Sequence, residues 1–423
     1  MSAVSINPTK KHTMNTTKLM AALAVACTVG SSFAATPIVY HTNNNVVCIT
    51  GSTAGRTQAA NALDACFNGT NGWSLVARTS DFSGTDQKST GRLYAQTPDT
   101  NATTKTITQN FINVHWTGSE GGIQSIAGNG TKNFSYLPLT ATGDANSATT
   151  GFTYPHEASI CFTDVKQASS RFLKTGAKAL GDTTAYAALP APTELMVLNF
   201  VWAGSKNFPT NAANMTKDIA VELFNNGSVP LSRFTGSSSD ASKTVYLVGR
   251  NVDSGTRCAA LLTAGLPNSA TIKQYAISSG GVVSQYIDET VNGLTCNGGM
   301  SGYSSGGTVA TALSYLTNPA GNDFAVGYLG KGDHSAAKDV LMTFQGMDST
   351  QDNIKAGKYP MWTVFNAYLP KVLKPTVCAP AVVQSVYDTL VAKIPTLDLG
   401  ANNVSTGSLT VKRSVDGGAI SAK

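Results

Sequence analysis

The sequence has few charged residues: Asp, Glu, Lys and Arg together make up 13% of its 423 residues, roughly half of the usual share. The Lys and Arg residues are scattered, without a basic stripe or interleaved aromatic residues, which argues against a nucleic-acid-binding surface. Gly, Ser, Thr, Asn and Ala take the place of the charges, a composition common among exported proteins. Because 42% of the residues are hydrophobic, the chain can build cores for two or three domains.

The sequence also lacks the motifs of membrane anchors and cofactor sites. Beyond the N-terminal region no run approaches 18 apolar residues, so no transmembrane anchor is expected. A P-loop, a dinucleotide fingerprint and HExxH are all missing, and the five histidines have no metal-ligand spacing. We therefore expect neither a metal nor a cofactor. His115 lies in an apolar strand and is interpreted as a core or edge histidine.

Residues 302–306 (Gly-Tyr-Ser-Ser-Gly) match the G-x-S-x-G pattern of a hydrolase nucleophile. The pattern requires a strand before the serine, whereas here a Gly/Ser loop precedes it. Glu120 and Asp164 could form an acid/base pair, but nothing in the sequence positions them against a scissile bond. The chain is therefore not expected to be an enzyme.

The N-terminus has the pattern of a secretory signal. Three lysines form its positive part: Lys10, Lys11 and Lys18. A short apolar stretch follows at 19–29, and cleavage is predicted near Ala34 or Ala35, with Met1 or Met14 as the start. Export to the periplasm or the medium follows from this prediction, and lipid anchoring at Cys27 is an alternative. Removal of residues 1–35 lowers the formal net charge from +6 to +3.

Three segments repeat one pattern, in which an apolar strand runs into a turn of small hydroxyl residues and then into helical spacing. The predicted strands are 46–50, 111–116 and 245–248, and the turns that follow begin at residues 51, 117 and 249. A helix is predicted at 56–67, Thr216 is a candidate helix N-cap, and residues 195–202 form a strongly apolar run. Strands alternating with helices predict an α/β protein. Region 68–110 has a less regular pattern, region 127–157 is interpreted as a long loop or surface insertion, and the tail is expected to fray after residue 402.

The turns have a chemistry in common. A helix N-terminus presents unpaired N–H groups and a partial positive charge, and Ser, Thr and Gly there let an anion approach the backbone. In open α/β sheets, ligands bind at the carboxyl ends of the strands. Residues 254–256 (Ser-Gly-Thr) therefore predict an oxyanion site, with ordinary helix capping as the alternative.

Residues 248–257 (Val-Gly-Arg-Asn-Val-Asp-Ser-Gly-Thr-Arg) resemble the R-x-x-x-S-G-T-[RS] signature of phosphate-binding proteins of bacterial ABC phosphate transporters, which are type II periplasmic binding proteins. Six further segments resemble the family's segments in the same order: 51–53, 117–123, 160–164, 215–227, 324–329 and 353–360. The resemblance covers roughly residues 46–370.

The resemblance implies a two-lobed α/β protein in which each lobe is a mixed sheet flanked by helices and the ligand lies in the cleft between them. Lobe 1 would combine residues 36–194 with 330–423, and lobe 2 would be residues 195–329. Such a protein is expected to be a monomer that captures phosphate, or a similar tetrahedral oxyanion, and passes it to an ABC transporter permease.

The same resemblance assigns roles to eight residues: Ser52, Thr53, Ser119, Asp164, Arg250, Ser254, Gly255 and Thr256. The serines, the threonines and Gly255 would bind the anion through hydroxyl and backbone groups, and Arg250 would supply a full positive charge. Asp164 would accept a proton from hydrogen phosphate and so reject sulfate. Thr163 stands where the family usually has Ser. Arg56 also departs from the family pattern, and is either a surface residue or a second anion contact.

Six cysteines remain after the predicted signal: Cys48, Cys66, Cys161, Cys258, Cys296 and Cys378. An even number in an exported chain predicts disulfides. A bridge between Cys161 and Cys258 would tie the two implied lobes together. We therefore expect Cys48–Cys66, Cys258–Cys296 and Cys161–Cys378, with free buried cysteines as the alternative. Two other functions also remain open, an extracellular phosphatase-like protein and a surface protein on the same fold that serves no transporter.

Overall fold

In a computed structural model, the protein is described over residues 41–79, 91–128, 132–141, 143–145, 152–172, 186–286, 289–291, 294–296, 301–374 and 378–423. The predicted signal peptide, its cleavage position and Cys27 lie outside these residues. Within them, no helix is both long enough and apolar enough to cross a membrane.

The described strands, numbered in chain order, are β1 (His41–Gly51), β2 (Trp73–Thr79), β3 (Gly91–Gln96), β4 (Asp99–Asn101), β5 (Thr106–His115), β6 (Phe134–Tyr136), β7 (Gly143–Ala145), β8 (Tyr154–His156), β9 (Ile160–Thr163), β10 (Thr193–Gly204), β11 (Asn214–Met215), β12 (Ser228–Pro230), β13 (Thr244–Val248), β14 (Tyr275–Ile277), β15 (Val283–Gln285), β16 (Glu289–Val291), β17 (Leu294–Cys296), β18 (Asp323–Gly330), β19 (Val340–Leu341), β20 (Thr343–Phe344), β21 (Trp362–Tyr368), β22 (Asn403–Val404), β23 (Val411–Lys412) and β24 (Ser421–Ala422).

The described α-helices are α1 (Arg56–Phe67), α2 (Ser119–Ala127), α3 (Lys217–Asn226), α4 (Ser232–Thr235), α5 (Gly255–Ala264), α6 (Gly306–Leu313), α7 (Gln351–Lys355) and α8 (Pro380–Lys393). The predicted helix at 56–67 is confirmed, as is the N-cap of α3, where the Thr216 side chain accepts a hydrogen bond from the N–H of Ile219.

Fourteen of the described strands form one mixed sheet, whose main path runs β12-β13-β18-β10-β21-β9-β1-β5-β3-β2-β7. The strand β1 pairs in parallel with β5 on one side and with β9 on the other. The carboxyl ends of these three strands therefore lie at one edge of the sheet, where the chain order changes direction around β1. The predicted α/β class, a mixed sheet flanked by helices, is confirmed.

The strand β10 links the two parts of this sheet. Residues 193–199 pair with β21, and residues 200–204 pair with β18. It is buried from Leu195 to Gly204, as expected for a nearly continuous apolar run covered on both faces. The implied lobe boundaries fall at this strand and at the end of β18, and the division into two lobes stays a prediction.

The core lies on both faces of the sheet because side chains alternate along each strand. On β1, Val47 and Ile49 belong to the main apolar cluster together with Leu63 of α1. Val46 and Cys48 point the other way, into a cluster that contains Leu93. This alternation leaves the carboxyl end of β1 fixed between two packed layers.

Two predictions of irregular chain are wrong. The described parts of region 68–110 contain β2, β3 and β4, and those of 127–157 contain β6, β7 and β8. Nor does the tail fray after residue 402, because β23 pairs with β24 and the Arg413 guanidinium lies 4.4 Å from the ring centre of Trp362. Arg413 also donates to the Trp362 carbonyl at 2.9 Å.

The predicted disulfides are also wrong, since Cys48, Cys66, Cys161, Cys258 and Cys378 are free. Cys48 faces the side of β1 opposite to α1, which carries Cys66, so the sheet separates the pair. Cys161 packs with Ile126 and Tyr368 in a small cluster, whereas Cys378 packs in the main core.

Cys258 packs in a cluster with Ile123 and Phe172, and its thiol donates to the carbonyl of Ser169 at 3.5 Å. The free state of Cys258 excludes its predicted bridge to Cys296, whose own side chain is outside the described parts. The alternative of free buried cysteines therefore describes four of the five, since Cys66 is partly exposed.

Candidate functional site

All eight predicted site residues lie in turns that follow the carboxyl ends of strands. Ser52 and Thr53 follow β1, Ser119 begins α2 after β5, and Asp164 follows β9. The other four, which are Arg250, Ser254, Gly255 and Thr256, lie between β13 and the first turn of α5. The structure brings the two groups into direct contact.

Asp164 is the acidic centre of this cluster, and its residue is 1% exposed. The Ser52 hydroxyl donates to its Oδ2 at 3.0 Å, and the Ser119 hydroxyl donates to its Oδ1. The Ser119 oxygen also accepts from the Asp164 N–H at 3.0 Å. Burial raises the pKa of Asp164, and the two hydroxyl hydrogen bonds and the charge of Arg250 oppose that rise.

Arg250 is the basic centre and is equally buried. Its Nη2 donates to the Thr53 hydroxyl at 2.9 Å, and its Nη1 lies 3.5 Å from the Thr256 hydroxyl oxygen. Burial lowers the pKa of Arg250, and Asp333 and Asp164 oppose that change. Since arginine stays protonated in proteins, the cluster contains a full positive charge.

The loop before α6 holds the guanidinium from the other side. Nε of Arg250 donates to the Tyr303 carbonyl at 3.0 Å, and Nη2 donates to the Ser304 carbonyl at 2.6 Å. The G-x-S-x-G match at 302–306 therefore contributes backbone acceptors to this site. Ser305 caps α6 by accepting from the N–H of Thr308 at 3.2 Å.

The backbone of Arg250 is fixed by two residues that sequence reasoning missed. The Tyr328 hydroxyl accepts from the Arg250 N–H at 3.2 Å and donates to Oε1 of Gln274 at 2.6 Å. The Gln274 amide donates in turn to the Arg250 carbonyl at 3.0 Å. A side chain at Gly249 would place a Cβ 1.9 Å from that same Oε1, so glycine is required there.

The N-terminus of α5 closes directly onto Asp164. A Cβ on Gly255 would lie 1.6 Å from Oδ1 of Asp164, so this contact also requires glycine. Ser254 caps the helix by accepting from the Arg257 N–H at 3.2 Å. The partial positive charge of the helix N-terminus therefore faces the carboxylate.

The turn after β5 packs against the turn after β13. Gly118 has a φ of +100°, and a Cβ there would lie 2.3 Å from the Asp253 carbonyl oxygen. That oxygen accepts from the Glu120 N–H at 2.9 Å. Glu120 is fully buried and accepts from the Ser170 hydroxyl at 2.7 Å and the Arg171 N–H at 3.0 Å. Through these hydrogen bonds Glu120 connects the turn after β5 with the turn after β13 and with residues 170–171, which is a structural role.

A further sequence candidate, His115, has a structural role. His115 is buried, stacks on Phe152 with ring centres 3.8 Å apart, and has a pKa lowered by burial to about 4. This confirms the interpretation of a core histidine. In the part of the chain that the structure describes, no group of three or more His, Cys, Asp or Glu side chains is arranged to hold a metal ion.

The cluster thus combines one guanidinium, several hydroxyl groups and a helix N-terminus with one carboxylate. Guanidinium and helix N–H groups are suited to binding the oxygens of an oxyanion. A carboxylate in the same cluster can accept a proton from a protonated oxyanion and repels one that has no proton.

No family model matches the chain, and no curated protein matches it. Among solved structures, the chain is similar to a phosphate-binding protein from Stenotrophomonas maltophilia, with 13% identity over 85% of this chain and 87% of that one and a TM-score of 0.42. It is similar to an ABC-type phosphate transport receptor from Vibrio cholerae, with 14% identity over 82% and 97% of the two chains and a TM-score of 0.35. It is also similar to PstS from Borrelia burgdorferi, with 12% identity over 85% and 98% and a TM-score of 0.34.

Proposed function

We propose that this chain is an exported solute-binding protein that captures phosphate, or a similar tetrahedral oxyanion, and passes it unchanged to an ABC transporter permease. One observation carries the proposal: buried Arg250 and buried Asp164 meet in a single cluster built from turns at the carboxyl ends of four strands. The order of the sequence segments that resemble phosphate-binding proteins supports the same function.

The proposed roles follow from hydrogen-bond chemistry. Arg250, Ser52, Thr53, Ser119 and the 254–256 turn donate to the anion oxygens, while Asp164 accepts the proton of hydrogen phosphate. Sulfate has no proton to donate at neutral pH. Its oxygen would face the Asp164 carboxylate without a hydrogen bond, so binding would be opposed by charge repulsion.

Binding requires the two groups of residues to separate and close again. Asp164 and Gly255 touch each other in the structure, and Arg250 bonds directly to Thr53. An anion therefore enters when the turn after β13 moves away from the turns after β1, β5 and β9. We propose that lobes 36–194 with 330–423 and 195–329 make this movement, with β10 as part of the hinge.

The test is calorimetry on ligand-stripped protein with phosphate and with sulfate, alongside Asp164→Asn. We expect wild type to bind phosphate and to discriminate against sulfate by at least about a hundredfold, which corresponds to about 2.7 kcal/mol. Asp164→Asn should reduce this ratio, because the amide can donate a hydrogen bond to sulfate.

Two outcomes would contradict the proposal. If wild type binds neither anion, the solute-binding function is wrong. If wild type binds both equally, the discriminating role of Asp164 is wrong while oxyanion capture stands. Ser239→Ala on the exposed 238–240 turn is a control that should bind both anions as wild type does.

A further inference from the structure

A polar cavity lies beside the cluster of Arg250 and Asp164. Its volume is about 280 Å³, and it is formed by the start of α1, the centre of β10, residues 330–333 at the end of β18 and just beyond it, and the segment 398–403. One water occupies about 30 Å³ in the liquid. The cavity therefore has room for a group of several heavy atoms.

Thr53 connects the cavity to the cluster. Its side chain lines the cavity, and its hydroxyl accepts from Nη2 of Arg250 at 2.9 Å. Arg56 lines the same cavity and is close enough to Arg250 to lower its pKa. An oxyanion held on Arg250 and Thr53 would thus have one side facing this cavity.

The lining is polar and balanced in charge. Arg56 and Lys331 are offset by Asp333 and Asp398. The uncharged polar side chains are amides and hydroxyls: Thr53, Thr57, Gln58, Asn61, Asn199, Asn402 and Asn403. Amides and hydroxyls both donate and accept, as a hydroxylated ligand requires. Because its two cations are offset by the two carboxylates, the cavity supplies no net positive charge for a second phosphate group. An apolar group would leave the amides without partners.

The wall of the cavity formed by the segment 398–403 is held in place. The Gln351 amide donates to the carbonyls of Gly400 at 2.8 Å and Asn403 at 2.7 Å. The Gly400 N–H donates to Oδ1 of Asp398 at 2.8 Å, and Asn403 pairs with Leu198 of β10. The cavity is therefore shaped by a fixed segment.

Building on the proposed function, we propose that the ligand is the singly protonated monoanion of a phosphomonoester of a short neutral polyol, with its phosphate on the Arg250 cluster, its proton donated to Asp164 and its hydroxylated part in this polar cavity. Arg56 then lies beside the ester, and the amides of Asn61 and Asn402 bind its hydroxyl groups. Orthophosphate would occupy the first part of the site alone.

The experiment compares three probes by calorimetry on the ligand-stripped chain at about pH 5.5: sn-glycerol 3-phosphate, orthophosphate and pyrophosphate. At this pH the ester keeps the proton that Asp164 accepts, since the second pKa of a phosphomonoester is about 6. We expect glycerol 3-phosphate to bind at least about tenfold more tightly than orthophosphate. Pyrophosphate should bind less tightly than glycerol 3-phosphate, because its second phosphate would enter a cavity that has no net positive charge.

Two variants fill the cavity from opposite sides, Asn61→Phe on the exposed side of α1 and Asn402→Phe on the segment 398–403. Each should weaken glycerol 3-phosphate by about tenfold or more and leave orthophosphate within about twofold. Asn225→Phe, at the exposed end of α3, is the matched control and should change neither affinity.

The outcomes separate this inference from the proposed function. Binding of orthophosphate with no preference for glycerol 3-phosphate would overturn the inference alone, as would tighter binding of pyrophosphate. A preference for the ester that survives both Phe variants would overturn the role of the cavity. Binding of none of the three probes would overturn the proposed function together with the inference.

Discussion

Asp253 is a buried carboxyl at the contact between the turns after β5 and β13. Burial raises its pKa to about 7, and the charge of Arg171 opposes the rise. In the unfolded chain an aspartate loses its proton near pH 4. Between these values the folded protein holds a proton that the unfolded chain has released, so the free energy of unfolding falls as the pH rises through this window.

Asp253→Asn should therefore reduce the loss of stability on raising the pH. We expect the free energy of unfolding in urea to decline less between about pH 5 and about pH 8 in the variant than in wild type. Some decline remains, because burial also raises the pKa values of Asp164 and Glu120.

The matched control is Asp388→Asn on the exposed face of α8, which should keep the wild-type dependence on pH. A dependence in Asp253→Asn equal to that of wild type would contradict the assignment of the proton to Asp253.

Among single residues, the sequence identifies those whose type and spacing match a known chemistry. Ser52, Arg250 and the 254–256 turn stand next to apolar strands and at helix starts, so local pattern was enough to select them. Gln274 and Tyr328 contact Arg250 from 24 and 78 positions away in the chain. No local pattern marks such residues, because their roles depend on packing between distant elements.

Two helix N-caps, Thr216 and Ser254, differ in whether they lie at the candidate site. Thr216 and Ser254 cap α3 and α5 with the same geometry, each accepting a backbone N–H at 3.2 Å. Ser254 also lies next to Gly255, which touches Asp164, whereas Thr216 lies at the start of α3 outside the cluster. The pair therefore separates the stability of a helix from a role in the site.

Thr216→Ala and Ser254→Ala should each lower the free energy of unfolding by about 1 kcal/mol, the usual cost of a lost cap. Only Ser254→Ala should also weaken phosphate binding, because the start of α5, unlike that of α3, faces the proposed anion. Urea unfolding and calorimetry on both variants measure the two effects. Equal phosphate affinity in both would show that Ser254 is a cap and nothing more.

Elements with a strong periodic pattern could be predicted, and those without one could not. The helix at 56–67 has apolar residues at helical spacing, and the apolar run of β10 marks a buried strand. The residues of β4 and of the first half of β5 are mostly polar, and they are exposed in β4 and half-buried in β5. The pairing of these strands depends on neighbouring strands rather than on their own residues, and the same is true of the tail, which packs on Trp362.

For the whole molecule, an even number of cysteines suggested a covalent framework, which the five described cysteines do not form. Strand alternation places Cys48 and Cys161 in clusters separate from their predicted partners. Small exported proteins need such bridges because their cores are small. This chain buries apolar residues on both faces of a sheet of fourteen described strands, so its stability does not depend on them.

A reductant should therefore leave the urea unfolding midpoint unchanged. Loss of a native disulfide from a small secreted domain typically costs about 2–5 kcal/mol, which such a measurement would detect. Alkylation of the native protein, followed by mass spectrometry, should modify Cys66 before Cys48, Cys161, Cys258 and Cys378, which are buried. A clear shift of the midpoint on reduction would contradict the free state of these thiols.

Arg250 donates hydrogen bonds to the carbonyl oxygens of Tyr303 and Ser304, and this affects how freely the sequence can vary at these positions in evolution. A carbonyl oxygen is the same in every amino acid, so substitutions at residue 304 can accumulate without loosening the guanidinium as long as the loop keeps its path. Selection there acts on chain geometry, set by Gly302 against the Arg250 backbone and by Ser305 at the helix cap. Relatives of this protein can then share the site while differing in the amino-acid sequence of this loop.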